Sequence, residues 1–390
     1  MSFIQYLKIV RVLILLNLPL GIVGTFLDIR DLTAYMILLP MSFMDLFFLG
    51  SNYRKLKFRK TEILLIVLIL SSLFIGFANT LTFTRRHISD LTNPLFFILK
   101  VVVFRAYLIK SIPFLDKFIP LLAKQLFYVG IGSILLFYFL SFYKSMYAGI
   151  TPTIHPFLID AMIKGKGLSQ AASVIVVFLS GKRALLISCS VIFIVYQVLI
   201  KKKGKLILYV FTAFFSLSFL ISYLRLNADG ISAFEKYKWT YELYLENKDD
   251  LDFDSEILNT LSAGRLSEIQ GATKVMSPLD YVIGKGVGFT YTYYLQTENK
   301  DVTDYANLHL SPLSLITKYG LIFYLVLMFY LFSSLYKFST NGYLSILFGL
   351  YIVASLIDML FAYIIFIDPF IPIALGFLTK RRRFNYVSPP

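Results

Sequence analysis

The sequence predicts an all-α polytopic membrane protein with about 11–12 transmembrane helices and one large extracytoplasmic loop. Three observations support this. Of the 390 residues, 57% are hydrophobic and only 16% are charged. Mean hydropathy is +0.72. Continuous apolar runs of about 20 residues, the length needed to cross a bilayer, recur along the chain. A membrane β-barrel would instead show short alternating segments. The first run carries no Ala-x-Ala cleavage site and many spans follow it, so it reads as a transmembrane helix and not a secretory leader.

The predicted helices are Leu7–Leu27, Leu32–Gly50, Glu62–Thr80, Pro94–Ile112, Pro120–Tyr143, Leu168–Ser180, Ala184–Ile200, Leu206–Leu224, Ser311–Leu335, Tyr343–Tyr363 and Ile364–Thr379. They divide the chain into four parts. Residues 1–143 form N-terminal helices, and 144–223 form central helices with a possible re-entrant segment. Residues 224–310 are the large loop, and 311–390 are C-terminal helices with a basic tail. Orientation follows from Arg54–Lys60, Lys201–Lys205 and Lys380–Arg383, since basic clusters mark cytoplasmic ends. The net charge of +15 therefore reports topology, and nucleic acid is not expected as a partner. Helix parity requires the chain between Tyr147 and Lys166 to cross or dip back. Its apolar part, Pro156–Ile163, is too short for a straight span, so it must be shielded by protein.

The loop from Leu224 to His309 holds 14 of the chain's 23 acidic residues and eight of its 38 Lys and Arg. Within it, Asp249, Asp250, Asp252, Asp254 and Glu256 resemble a calcium loop only superficially. The glycine at the sixth position and the glutamate at the twelfth are missing, so no metal is expected. No Walker-type glycine loop occurs. Gly284, Gly286 and Gly288 alternate with Lys285 and Val287, which suits a tight turn allowing close backbone approach and not a dinucleotide box. Cys189 stands alone in an apolar run and reads as a small packed residue. His87 and His155 fall in short loops without evident partners.

Three basic or titratable points belong to the outer face. Lys182 and Arg183 sit at the junction Ser180-Gly181-Lys182-Arg183 between two apolar helices. Such cations oppose the positive-inside bias, and they suit either phosphate oxygens or lipid headgroups. Arg265, after Gly264, opens a predicted amphipathic helix through Ile269 and Val275 that would rest on the membrane surface. His309 precedes the apolar run at Leu310 and has the side chain suited to proton transfer near neutrality.

Taken in order, these motifs resemble the bacterial O-antigen ligase and polysaccharide polymerase family, over roughly Leu168 to Leu335. That family carries a Ser-Gly-Ser-Arg junction, a Gly-Arg in a large outer loop, a Gly-x-Gly-x-Gly-Phe stretch and a His-Asn before the next helix. The counterparts here are Ser180-Gly181-Lys182-Arg183, Gly264-Arg265, Gly284-Lys285-Gly286-Val287-Gly288-Phe289 and His309-Leu310. Lys318-Tyr319-Gly320-Leu321-Ile322 looks like the family's glycine–hydrophobic pair downstream. Lys182 replaces a serine and Leu310 an asparagine.

The resemblance implies a GT-C-like bundle and a glycosyltransferase using undecaprenyl-diphosphate-linked sugars, without metal, nucleotide or other cofactor. It implies diphosphate binding by Arg183, Arg265 and Lys182, with His309 as the base. The loop would act as a lid over a site shared with the bundle. Implied partners are the lipid-linked oligosaccharide, membrane lipids, and a chain-length regulator and flippase of the same pathway. A ligase shares the motifs. A transporter or flippase is the reading from another class, with Asp45, Lys100, Arg105 and Asp358 as charged residues inside spans.

Overall fold

A computed structural model describes residues 1–80, 84–141, 143, 152–180, 182–201, 265–295, 300–305, 308, 310–336, 338, 342–360 and 365–380. Among these, five spans are long and apolar enough to cross a membrane: Phe3–Phe26, Lys60–Thr80, Arg86–Leu108, Ser111–Ser141 and Ser311–Leu335. The chain is thus a predominantly helical protein of multi-pass membrane type. Its surface agrees: Phe43, Phe47 and Phe74 are 68%, 70% and 74% exposed on helix faces. Bare phenylalanines at mid-helix suit hydrocarbon and not water.

The N-terminal half is α1 (Phe3–Phe26), α2 (Arg30–Gly50), α3 (Lys60–Thr80) and α4 (Arg85–Ser141). A capping box between Ser2 and Gln5 starts α1, satisfying N–H groups that no earlier turn can serve. The stripe Phe3, Tyr6, Leu7 and Val10 then buries against Phe104 and its neighbours, as the helical period requires. The helices predicted from Pro94 and from Pro120 are one continuous element, α4, with both prolines inside it. A straight helix of 57 residues would reach about 85 Å, nearly three bilayer cores. The element accordingly carries two separate spans, on either side of Ile109 and Lys110.

The central part holds α5 (His155–Ile163), α6 (Gly167–Leu179) and α7 (Arg183–Val195, continued by a π-helical turn over Tyr196–Ile200). The short apolar segment foreseen as re-entrant is α5, nine residues with seven buried. Phe157 stacks on Phe127 of α4 with centroids 4.1 Å apart. Tyr196 of α7 donates to the Met162 carbonyl at 2.8 Å. A segment this short fits only because protein surrounds it. The predicted helix Leu206–Leu224 lies outside the described residues.

The C-terminal part comprises α8 (Arg265–Lys274), α9 (Pro278–Ile283), strands β1 (Tyr291–Leu295) and β2 (Lys300–Tyr305), α10 (Ser311–Leu335), α11 (Tyr343–Met359) and α12 (Ile371–Thr379). The strands pair antiparallel, Tyr293 opposite Val302, with an irregularity between Tyr291 and Tyr293. This hairpin departs from an all-α expectation.

Contacts sort the helices by end. Arg105 pairs with Glu62 at 2.6 Å, Tyr330 of α10 donates to Glu62 at 2.8 Å, and Arg59 reaches the Thr379 carbonyl. Tyr343 of α11 donates to Asp160, which also pairs with Lys164. The described basic residues Arg54–Lys60, Lys164, Lys201 and Lys380 therefore share one end of the bundle. Thr80, His87 and the start of α10 lie at the other, called here the loop end.

The in-span charges singled out in the sequence, Asp45, Lys100, Arg105 and Asp358, are paired. Lys100 meets Asp45 at 2.9 Å, and Tyr6 donates to the same carboxylate at 2.6 Å. Asp358 lies 3.7 Å from His155. Glu62 is fully buried, so Glu62→Ala would leave Arg105 without its counter-charge. We expect a loss of about 3–5 kcal/mol of stability, read as a lowered unfolding midpoint of the detergent-solubilised protein. An unchanged midpoint would mean that Arg105 is solvated without Glu62.

Candidate functional site at the loop end

The glycine run is where the loop enters the bundle. Ser277 and Asp280 form a capping box that starts α9, with Pro278 at its first position, where the missing N–H costs nothing. Desolvation would raise the Asp280 carboxyl. Hydrogen bonds from Ser277 and the nearby Lys285 ammonium outweigh it and hold the group below the usual carboxylate range. Gly284 ends the helix at φ 85°, and the run then turns inward.

It meets a break in α10. Gly320 has φ 87° and ψ 161° inside that helix, a conformation open to glycine and strained for other residues. The break frees two carbonyls of α10 from helical partners. Thr317 O accepts from Lys285 N–H at 2.7 Å, and Lys318 O from Gly286 N–H at 3.1 Å. Val287 N–H donates to Ser72 O of α3 at 3.1 Å. Gly288 N–H donates to the Asp90 carboxylate at 3.1 Å. Buried backbone groups need partners, and the run and the broken helix supply each other's.

Side chains complete the seat. Lys318 pairs with Asp90 at 2.8 Å, both nearly out of solvent. Tyr319 donates to the Asp90 carbonyl at 2.5 Å, and Asn79 to the Lys285 carbonyl at 2.8 Å. A Cβ on Gly286 would overlap the backbone of Gly76, and one on Gly288 the ring of His87. Ser72 lies eight residues before the end of α3, so the run penetrates about 12 Å into the bundle. The glycines do serve close backbone approach, as their spacing predicts.

Beside this seat the loop has a small core of its own. Ala272 of α8 packs with Tyr291, Tyr293 and Leu308, joined by Ile269, Phe289, Tyr305 and Leu313 of α10. The predicted amphipathic helix at Arg265 thus exists, but its apolar residues cover the hairpin. Val275, expected to face the membrane surface, is 48% exposed. Burial raises the Tyr291 phenol well above its ordinary value, with Glu268, Tyr305 and Tyr293 adding to the effect.

The two unplaced histidines are corrected. His87 is buried in the first turn of α4, with Nδ1 2.8 Å from Thr84 Oγ1 and Nε2 3.2 Å from Thr80 Oγ1. His155 is buried at the start of α5, 2.7 Å from Ser188 Oγ. Ser188 and Asp358 both approach the same nitrogen, Nε2. A nucleophile relay would need the carboxylate on Nδ1, so the trio reads as a buried polar tie between α5, α7 and α11.

Of the predicted site residues, Lys182 is the N-cap of α7, half-buried, with its N–H on Ser180 Oγ at 3.3 Å. Arg183 is the first residue of α7; its side chain lies outside the described set. Arg265 is the first residue of α8 and half-buried. Gly181, Gly264, His309 and the acidic run 249–256 lie outside the described residues. Because Lys201 closes α7 at the basic end, Lys182 and Arg183 open it at the loop end.

Four helices begin on arginine: α2 at Arg30, α4 at Arg85-Arg86, α7 at Arg183 and α8 at Arg265. The first turns of α4 and α7 contain no acid. A cation at a helix N-terminus opposes the macrodipole by about 0.3–1 kcal/mol, so helix stability does not account for it. A helix N-terminus is also where backbone N–H groups and the dipole suit phosphate oxygens. Asp90, Lys318 and His87 were missed as part of this region; of the three, Lys318 carried a signal, as a charge inside the apolar run Ser311–Leu335. Among the described residues no three His, Cys, Asp or Glu side chains converge as metal ligands. No protein-family model matches the chain, and a search of curated proteins finds no match.

Proposed function

We propose that this chain is a membrane glycosyltransferase. It polymerises undecaprenyl-diphosphate-linked oligosaccharide repeat units for a bacterial surface polysaccharide, on the outer face of the cytoplasmic membrane. The observation that carries the reading is the set of arginines at helix N-termini, with Lys182 and Arg183 opening α7 at the loop end and Arg265 opening α8. The motif order from Ser180 to Gly320 supports it. Sidedness follows from the basic end facing the cytoplasm.

In this reading the acceptor hydroxyl attacks the anomeric carbon of the donor sugar. The bond from that carbon to the diphosphate oxygen breaks, and the diphosphate leaves with the electron pair. Arg183, Arg265 and Lys182 hold the charge that develops on it, in a partly dehydrated site where fixed cations are most effective. His309 takes the hydroxyl proton. The glycine run fixes the segment that follows Arg265 to α3, α4 and α10. A chain-length regulator and a flippase would be its pathway partners.

Arg183→Ala, Arg265→Ala and His309→Ala test this, after each variant is shown to insert normally. We expect each to cut polymer formation at least about 100-fold, leaving single repeat units in the producing strain. Polymer of normal length from all three would overturn the assignment.

A further inference from the structure

Helix α9 turns an apolar face outward. Leu279, Val282 and Ile283 share one side of the helix and are 62%, 40% and 38% exposed. Asp280 lies off that stripe, paired with Lys285 at 3.0 Å and accepting from the Ser277 N–H at 2.7 Å. A helix resting on a water-facing surface turns its apolar stripe toward the protein. Here the stripe points away from it, although α9 packs on α10.

The level of α9 along the bundle accounts for this. The Val282 carbonyl and the Ile283 backbone approach Gly320 so closely that a Cβ there would overlap them. Gly320 stands nine residues after the start of α10 at Ser311, about 13 Å along the axis. A helix of 25 residues measures about 37 Å and exceeds a hydrocarbon core of about 30 Å by about 7 Å. Even if the whole excess projects at the loop end, Gly320 lies about 6 Å inside the hydrocarbon. The contact of Val287 with Ser72, about 12 Å from the end of α3, gives an independent gauge of the same depth. At this level Leu321, Ile322 and Leu325 of α10 and Phe74 of α3 are exposed as well, so the face of α9 continues a surface that already suits lipid. Its ends are prepared for that setting. Pro278 brings no N–H, Ser277 Oγ accepts from the Asp280 N–H, and α10 carbonyls accept from Lys285 and Gly286. Backbone beside hydrocarbon requires such partners. We infer that α9 is a re-entrant anchor, with Leu279, Val282 and Ile283 inserted among the acyl chains of the leaflet at the loop end. The anchor ties the segment after Arg265 to the membrane as well as to the bundle, and it does not depend on the proposed glycosyl transfer.

Spin labelling of the full chain in phosphatidylcholine liposomes tests this. Cys189→Ala removes the native thiol, and Leu279→Cys or Val282→Cys then carries a nitroxide, each protein first shown to elute as a normal size-exclusion peak. Phe74→Cys, on the exposed face of α3, is the hydrocarbon reference, and free nitroxide in buffer is the water reference. We expect both α9 labels to match Phe74→Cys, colliding more with dissolved oxygen than with a water-soluble nickel chelate. Their depth should read about 5–10 Å below the headgroup boundary. Frequent collision with the nickel chelate at both positions would place the face in water and overturn the proposal. Rare collision with both reagents would mean that protein covers the face, from a second copy or from elsewhere in the chain, and would also overturn it.

Discussion

Gly286→Ala is expected to leave almost no correctly folded protein in the membrane. At φ 92° any side chain is strained by about 1–3 kcal/mol. The larger effect is steric: the new Cβ would fall on backbone atoms of Gly76 and 2.7 Å from Ser72 O. Neither can rotate away, because both belong to α3. Withdrawing the run to relieve the overlap breaks the hydrogen bonds from Lys285, Gly286 and Val287 to Thr317, Lys318 and Ser72 together. Gly132→Ala is the control, since nothing lies within 4 Å of its added Cβ. Fluorescence-detected size exclusion should show a collapsed yield for the first variant and a normal peak for the second. A normal peak for both would mean that the run is not seated in the bundle.

Lys318→Met should be nearly as damaging. It leaves the Asp90 carboxylate buried with one N–H donor, from Gly288, and no cation. Losing one member of a buried pair costs about 3–5 kcal/mol. The double variant Asp90→Asn with Lys318→Met removes both charges, so it should be more stable than Lys318→Met alone. The two sites touch and their effects are not additive. Unfolding midpoints of the three proteins decide it. A double variant less stable than Lys318→Met would show that Asp90 contributes chiefly through its hydrogen bonds to Gly288 and not through charge.

The same positions show what the sequence could reveal. Membrane class was legible because hydrocarbon demands long apolar runs, and α10 begins and ends where its run does, at Ser311 and Leu335. The burial of α5 was legible as a parity conflict: nine residues could not cross alone. The break inside α10 was not, because a lone glycine in a long apolar helix does not announce a break and only the φ of Gly320 marks it. The alternating glycines signalled close approach, but nothing local named Gly76, Asp90 or His87 as what they approach. Those contacts join segments some 200 residues apart. The hairpin was missed for a different reason. Tyr291-Thr292-Tyr293 alternates as a strand does, but five residues beside a glycine run are a weak signal. Arg183 was legible as a cation out of place and Arg265 as the start of a helix; the structure adds that Arg183 opens a helix as well.

Bond formation from a single purified substrate tests the central claim most directly. The chain is reconstituted in liposomes with one synthetic oligosaccharide repeat unit on undecaprenyl diphosphate and no second acceptor. The proposed polymerase should yield a ladder of longer lipid-linked glycans, lost in His309→Ala. A donor that crosses the bilayer unchanged, or stays a single repeat until a different acceptor is added, would contradict it.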